Sequence, residues 1–273
     1  MTRFSTALAL LGLVAAPAAA AAPAGAADRL QPTGHWNVDF GDAHCIATRD
    51  YGTRAAPLIL ALKPSPIGDV MQLSVLRASG DRGISQFGGT IAVDEAAPAK
   101  VSVLGYPAKS GGLRIAAINL PPDRFRPVRT ASALRARTGT GVSHSFALTQ
   151  MAAVAGTLDR CVAGLRSAWH ISEAGGGISQ PAKPKQPLPS YFSTSDYPAV
   201  AVRNEATGTV AMVALIDETG KVASCMVTET SGYASLDAQS CAIISGRAKF
   251  DAALGPDGKP AKSGATYRIR WMM

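Results

Sequence analysis

The chain of 273 residues carries 27 lysines and arginines against 19 aspartates and glutamates, a formal net charge of +8, together with four cysteines. The positive balance is uneven: residues 28–180 hold 16 basic against 11 acidic side chains, whereas residues 197–273 hold 8 against 7. The basic residues lack the aromatic interleaving of a nucleic-acid surface, and an even cysteine count in a chain with export features fits oxidative pairing. No nucleic-acid partner is expected.

In chain order, Arg3 precedes an apolar stretch, Ala7 to Ala16, and then Ala-rich sequence with A-x-A sites such as Ala24-Gly25-Ala26. This is the composition and length of a secretory signal peptide over residues 1–27. The competing reading is a retained inner-membrane anchor over Ala7 to Ala27; Pro17, Pro23 and the weak hydrophobicity of alanine argue against it.

Between about Gly34 and Ile171 lies a unit of ordinary domain size. Trp36, Val38 and Phe40 alternate, as do Met71, Leu73 and Val75. Ile91 to Val93, Val101 to Leu104 and Ile115 to Leu120 are further short apolar runs separated by Gly and Pro. The spacing predicts a β-rich N-terminal domain of six or more strands over 34–171. Arg124, Arg126, Arg129, Arg135 and Arg137 crowd one stretch of it, either as a patch for a membrane surface, an acidic partner or the cell wall, or as a solvated basic loop. Leu148, Met151, Ala155, Leu158, Val162, Leu165 and Trp169 recur at helical spacing, which predicts a closing helix across the sheet with Cys161 near its buried face.

Residues 172–190 open with Gly175-Gly176-Gly177 and continue through Pro181, Pro184, Pro187 and Pro189, so a mostly extended, semi-rigid linker is expected there. Beyond it, Pro198 suits the first turn of a short helix that leaves at Gly208. Val210, Met212, Ala214 and Ile216 alternate with Ala211, Val213 and Leu215, the pattern of a strand covered on both faces. Asp217-Glu218-Thr219-Gly220 is a hairpin turn, and Lys221 to Glu229 returns as a second strand. Ser235 to Phe250 reads as a helix with Leu236, Cys241, Ile244 and Ala248 along one side; Gly255 to Gly258 is a turn, and Ala265 to Met272 a last strand. The economical assembly of residues 191–273 is a three-stranded antiparallel sheet with two helices packed on one face, making the whole chain α+β.

The order Tyr197-Pro198-Ala199, Gly208 to Val213, Asp217 to Val222, Thr230-Ser231-Gly232, Leu236-Asp237, Phe250 and a final apolar strand resembles the C-terminal domain of the TonB family of energy transducers. It is joined here to a β-rich exported domain of no assigned family. The resemblance implies a periplasmic binding protein without chemistry of its own. Its partner would be an outer-membrane transporter or other envelope protein, whose extended segment adds to the sheet beside the final strand by β-augmentation. An envelope structural or cell-wall-associated module without energy coupling is the alternative, and the same fold leaves room for a homodimer.

On this reading the partner-binding residues are Ser195, Asp196 and Tyr197 before the first helix and Thr266, Arg268 and Arg270 on the final strand, whose edge is expected to be uncovered. The division into two units selects one of three cysteine connectivities, Cys45 with Cys161 and Cys225 with Cys241. A metal role for Asp42, His44 and Cys45 is the weaker alternative, because these residues have no paired ligand spacing. Catalytic signals are poor. Gly141-Val142-Ser143-His144-Ser145 misses the nucleophile elbow at its fifth position, and Lys262-Ser263-Gly264 stands without any S-x-x-K. The expectation is no enzyme, no catalytic residue, no metal and no cofactor.

Overall fold

The computed structural model describes Met1 and residues 29–66, 70–108, 112–139, 142–171 and 177–273. The expected signal segment lies outside the described residues apart from Met1, as do residues 172–176 of the expected linker.

The N-terminal unit runs through β1 (Asn37–Gly41), β2 (His44–Asp50), β3 (Leu58–Pro64), β4 (Met71–Ala78), β5 (Ser85–Val93), β6 (Ala99–Pro107) and β7 (Leu113–Leu120). A short helix α1 (Pro122–Phe125), β8 (Ala133–Arg137), β9 (Ser143–Ala147) and a long helix α2 (Met151–Ala168) follow. The strands form one nine-stranded antiparallel sheet in the order β1-β2-β3-β4-β7-β6-β5-β8-β9. Period-two alternation places Leu60, Leu62, Leu73, Val75, Val103, Ile118, Leu134 and Phe146 on the concave side, where all are buried.

The sheet curls until its ends meet. Leu30 bridges to Phe146, the Tyr51 hydroxyl donates to the Ala147 carbonyl at 2.8 Å, and the Trp36 indole donates to Thr149. Helix α2 packs across one end of this near-barrel through Met151, Val154, Leu158, Cys161 and Leu165. Cys161 is joined there to Cys45 of β2. In the chain-entropy picture, a loop of this length stabilises by about 4–5 kcal/mol.

The C-terminal unit comprises β10 (Lys183–Pro184), α3 (Ala199–Arg203), β11 (Gly208–Ile216), β12 (Val222–Glu229), α4 (Ala234–Arg247), β13 (Phe250–Asp251), β14 (Ala253–Leu254), β15 (Pro260–Ala261) and β16 (Ser263–Trp271). Its main sheet has the order β12-β11-β16, while β10 pairs with β13 and β14 with β15. Two boundaries differ from the sequence reading. Gly208 opens β11 and is not a helix exit, because Glu205 takes a positive φ of 47° and the Ala206 N–H caps back onto the Ala201 carbonyl. Helix α4 ends at Arg247; Ala248 is extended, and Phe250 pairs with Pro184 and donates its N–H to the Gly220 carbonyl. Gly220 sits at φ 77° with the Phe250 carbonyl only 2.0 Å from where a Cβ would stand, so both its backbone and its bareness are required.

The described part of the linker stretch lies along the C-terminal unit. Ser179 and Gln180 bond to Leu254, the Lys185 N–H bonds to the Lys249 carbonyl, and Ala182 and Leu188 pack against the C-terminal core. A second disulfide ties Cys225 of β12 to Cys241 of α4, nominally worth about 3 kcal/mol for so short a loop.

Strand β11 is covered on both faces. Val210, Met212, Ala214 and Ile216 pack with α3 and α4, whereas Val213 and Leu215, with Met226 of β12, join the core of the N-terminal unit. The outer side of the near-barrel takes part in the seam: Leu104 and Ala117, buried although they point away from its interior, line a small cavity with Met226 of β12 and Ala234 and Cys241 of α4. Polar contacts seal this seam. The Ser235 N–H donates to the Gln86 side chain at 2.9 Å, and Asn119 donates to the Asp237 carboxylate at 3.4 Å. Burial raises the pKa of Asp237 despite hydrogen bonds from Thr230 and Ser231.

Candidate partner-binding edge

Strand β16 is an edge. It pairs with β11 without interruption from Gly208↔Trp271 to Ile216↔Ser263, and among the described residues no strand pairs with its other side. The direction of its free groups follows from the ladder. The Asp217 N–H donates to the Lys221 carbonyl, so position 217 of the β11–β12 hairpin faces β12. Both register shifts between β11 and β12 put the extra residue on β12, leaving β11 in regular alternation. Ile216, Ala214, Met212 and Val210 therefore bond toward β16, and their partners Ser263, Ala265, Tyr267 and Ile269 bond back. Thr266, Arg268 and Arg270 are left with N–H and C=O pointing outward. The same parity is visible at Lys262, whose outward carbonyl accepts from His170 Nδ1 at 2.8 Å. His170 occupies the edge at Lys262 and Ile171 packs over the face at Gly264, and the open row begins after them.

The side chains divide by the same parity. Tyr267, Ile269 and Trp271 pack with the C-terminal core, and burial pushes the Tyr267 hydroxyl up to about 12. Thr266, Arg268 and Arg270 are exposed. Arg268 reaches across Ala211 to Glu229 at 2.8 Å, an exposed pair of little energetic weight. Arg270 has no carboxylate partner among the described residues.

The residues expected before the first helix separate in role. Asp196 turns inward: Arg247 holds it through two contacts of 2.7 Å, and Ser193 completes a reciprocal cap on the 3-10 turn Thr194–Asp196. Those bonds keep its carboxyl well below the usual range. Asp196 is thus placed as a support of the edge and not as a surface contact. Ser195 is exposed and bonds Ser193. Tyr197 donates its hydroxyl to the Ala206 carbonyl and meets the Trp271 ring edge-on at 5.2 Å.

Trp271 is the hinge of the site. Its indole donates to the buried Ser240 hydroxyl at 2.9 Å, and Phe192 meets its ring at 5.9 Å from the other side. Between β16 and the 189–197 turns runs a groove of about 600 Å³ with Phe192, Tyr197, Val202 and Trp271 as apolar wall and Arg268 and Arg270 as rim. Val202, Met272 and Met273 are 48%, 63% and 65% exposed, so the groove continues as apolar surface. Sequence reasoning missed Phe192 and Val202, which stand in no pattern, and Arg247, which lies 51 residues from the carboxylate it holds.

Several of the remaining sequence candidates are engaged locally. Cys45 is in a disulfide, and His44 contacts Asp39 at 3.0 Å. Within the arginine stretch, Arg124 pairs with Asp123 and Arg129 with Asp159, and Arg135 reaches the carbonyls of Asp94 and Ala96. No helix among the described residues is long and apolar enough to cross a membrane.

A small sheet buttressed by helices, with one open edge beside an apolar groove, has the form of a protein-interaction module. Residues 193–273 match the profile of the family described as Gram-negative bacterial TonB protein C-terminal, and this portion of the chain is a TonB C-terminal domain joined to the β-rich N-terminal unit. That assignment supports an interaction role in the cell envelope. No curated protein and no solved structure matches the chain.

Proposed function

We propose that the protein is an exported, periplasmic, non-catalytic TonB-like adaptor, with 1–27 as its cleaved signal and 191–273 as its three-stranded binding domain. An extended segment of an outer-membrane transporter or other envelope protein adds antiparallel or parallel to β16. The observation that carries this reading is the outward row of N–H and C=O groups at Thr266, Arg268 and Arg270. The groove lined by Phe192, Tyr197 and Trp271 takes side chains of the guest, and Arg270, without an ion-pair partner among the described residues, favours an acidic one. The N-terminal unit contributes rigidity: it covers the second face of β11 and so leaves the edge, not the face, for binding.

The test is affinity capture from solubilised Gram-negative envelope with the full mature chain and two variants. Outer-membrane proteins recovered with the parent and with Arg268→Ala should be lost with Arg268→Pro, which removes an outward donor while keeping the side-chain change comparable. Equal recovery with all three refutes edge capture, and recovery of peptidoglycan alone would favour a structural envelope module.

A further inference from the structure

We infer that the open end of the N-terminal near-barrel binds a small organic anion with an apolar body, of the medium-chain carboxylate class. Helix α2 packs over one end of the near-barrel, while the paired strand ends at Ala78 and Leu113, Ser85 and Gly105, and Arg137 and Ser143 lie at the other. There the inward-facing positions enclose a cavity of about 260 Å³. Barrel mouths are a recurrent place for small-molecule sites. This one has an apolar wall of Val75, Phe87, Ala116 and Val142, and a cationic one.

The cationic wall is what a purely structural barrel would avoid. Arg77 of β4 and Arg114 of β7 are direct cross-strand partners and both line the cavity. Like charges placed opposite each other destabilise a sheet. Arg114 is neutralised: it pairs with Asp81 at 3.0 Å and donates to the Gly83 carbonyl and the Ser85 hydroxyl, each at 2.7 Å. Gly105 makes this possible, since a Cβ there would stand 2.7 Å from the Arg114 guanidinium. Arg77 has no such settlement. No carboxylate or hydrogen-bond acceptor among the described residues meets it. Behind the cavity lining, His144 shares the inward parity of Phe146, and its Nε2 is buried without a hydrogen-bond partner among the described residues. Burial, and after it the charge of Arg77, lowers the His144 pKa. An unpaired guanidinium beside an apolar cup therefore suits an anionic head on Arg77 and a short hydrocarbon body against Phe87 and Val142.

The experiment is an NMR titration of the full mature chain with sodium octanoate, with octylammonium as the opposite-charge control. Saturable shifts are expected at the amides of Arg77, Gly105, Ala116 and Val142. Arg77→Gln should weaken octanoate about tenfold or more, the order expected for losing a charge-assisted contact. Its thermal midpoint should stay at or above that of the parent, because the opposed charges are relieved. Arg124→Gln, on an exposed helix away from the cavity, should leave the affinity unchanged. Parent-like affinity in Arg77→Gln, equal binding of octylammonium, or shifts confined to the groove beside Trp271 would each overturn the assignment.

Discussion

Proline substituted at Arg268 and at its neighbour Tyr267 should separate the two sides of β16. Arg268→Pro removes an N–H that points away from β11, so no bond of the β11–β16 ladder is lost. What disappears is the exposed pair with Glu229, worth about 0–1 kcal/mol. The fold should therefore lose about 1 kcal/mol. Tyr267→Pro removes the donor to Met212, a residue with 0% exposure, and a buried carbonyl left unpaired costs about 1–3 kcal/mol. It also deletes a half-buried ring whose centroid lies 5.9 Å from that of Phe250, so the total should reach about 3 kcal/mol or more. Urea denaturation measures both. Native-state hydrogen exchange on the parent gives an independent reading: amides of Ala265, Tyr267 and Ile269 should exchange slowly, those of Thr266, Arg268 and Arg270 fast. Equal destabilisation by the two prolines, or an Arg268 amide as protected as that of Ile269, would refute the assignment of the outward row.

Other expectations follow from the same geometry. Non-reducing peptide mapping should join Cys45 to Cys161 and Cys225 to Cys241, and Cys225→Ser with Cys241→Ser should cost about 3 kcal/mol in chemical denaturation. Arg247 and Ser193 depress the Asp196 carboxyl, so its contribution to stability is present above the ordinary carboxylate range near pH 4 and is lost as pH falls below it; Asp196→Asn should flatten that acid limb. N-terminal sequencing of protein from its native host should begin between about Ala19 and Asp28, whereas an intact Met1 in the membrane fraction would restore an anchored protein. A fragment spanning 177–273 exposes Val213, Leu215 and Met226, each worth about 1.5–3 kcal/mol buried, and should melt lower than the full chain or self-associate.

Much of the C-terminal unit is legible because its signals are local. Alternation along Val210 to Ile216 reports two covered faces, and Asp217 to Gly220 reports a hairpin whose Asp217 side chain caps Thr219 and Lys221. The reading blurs where the chain is ruled by distant partners. Pro- and Lys-rich residues 181–189 have the composition of a spacer, yet backbone pairing with Phe250 and Asp251 needs no particular side chain and leaves no mark in composition. Asp196 stands beside an exposed Ser195 and reads as surface until Arg247 closes on it from the end of α4. The cover of β11 was legible, but not its source: nothing in Val213 or Leu215 says whether helix, second copy or N-terminal unit lies against them.

That source bears on how the edge can work. In a three-stranded sheet with helices on one face only, an incoming strand and a face-to-face partner would compete for the same small domain. Here Val213 and Leu215 are already buried in the N-terminal core, Asn119 and Gln86 hold α4 from the same side, and the disulfide between Cys225 and Cys241 fixes α4 to β12. Strand β12, at the far edge, carries most of α4 and the seam, whereas β16 meets α4 at Trp271 and the N-terminal unit beside Gly264, near its two ends. The asymmetry leaves one side of the sheet rigid and committed and the other open along Thr266 to Arg270. A guest strand would then pair with a template already twisted and held, which lowers the ordering cost on the receiving side.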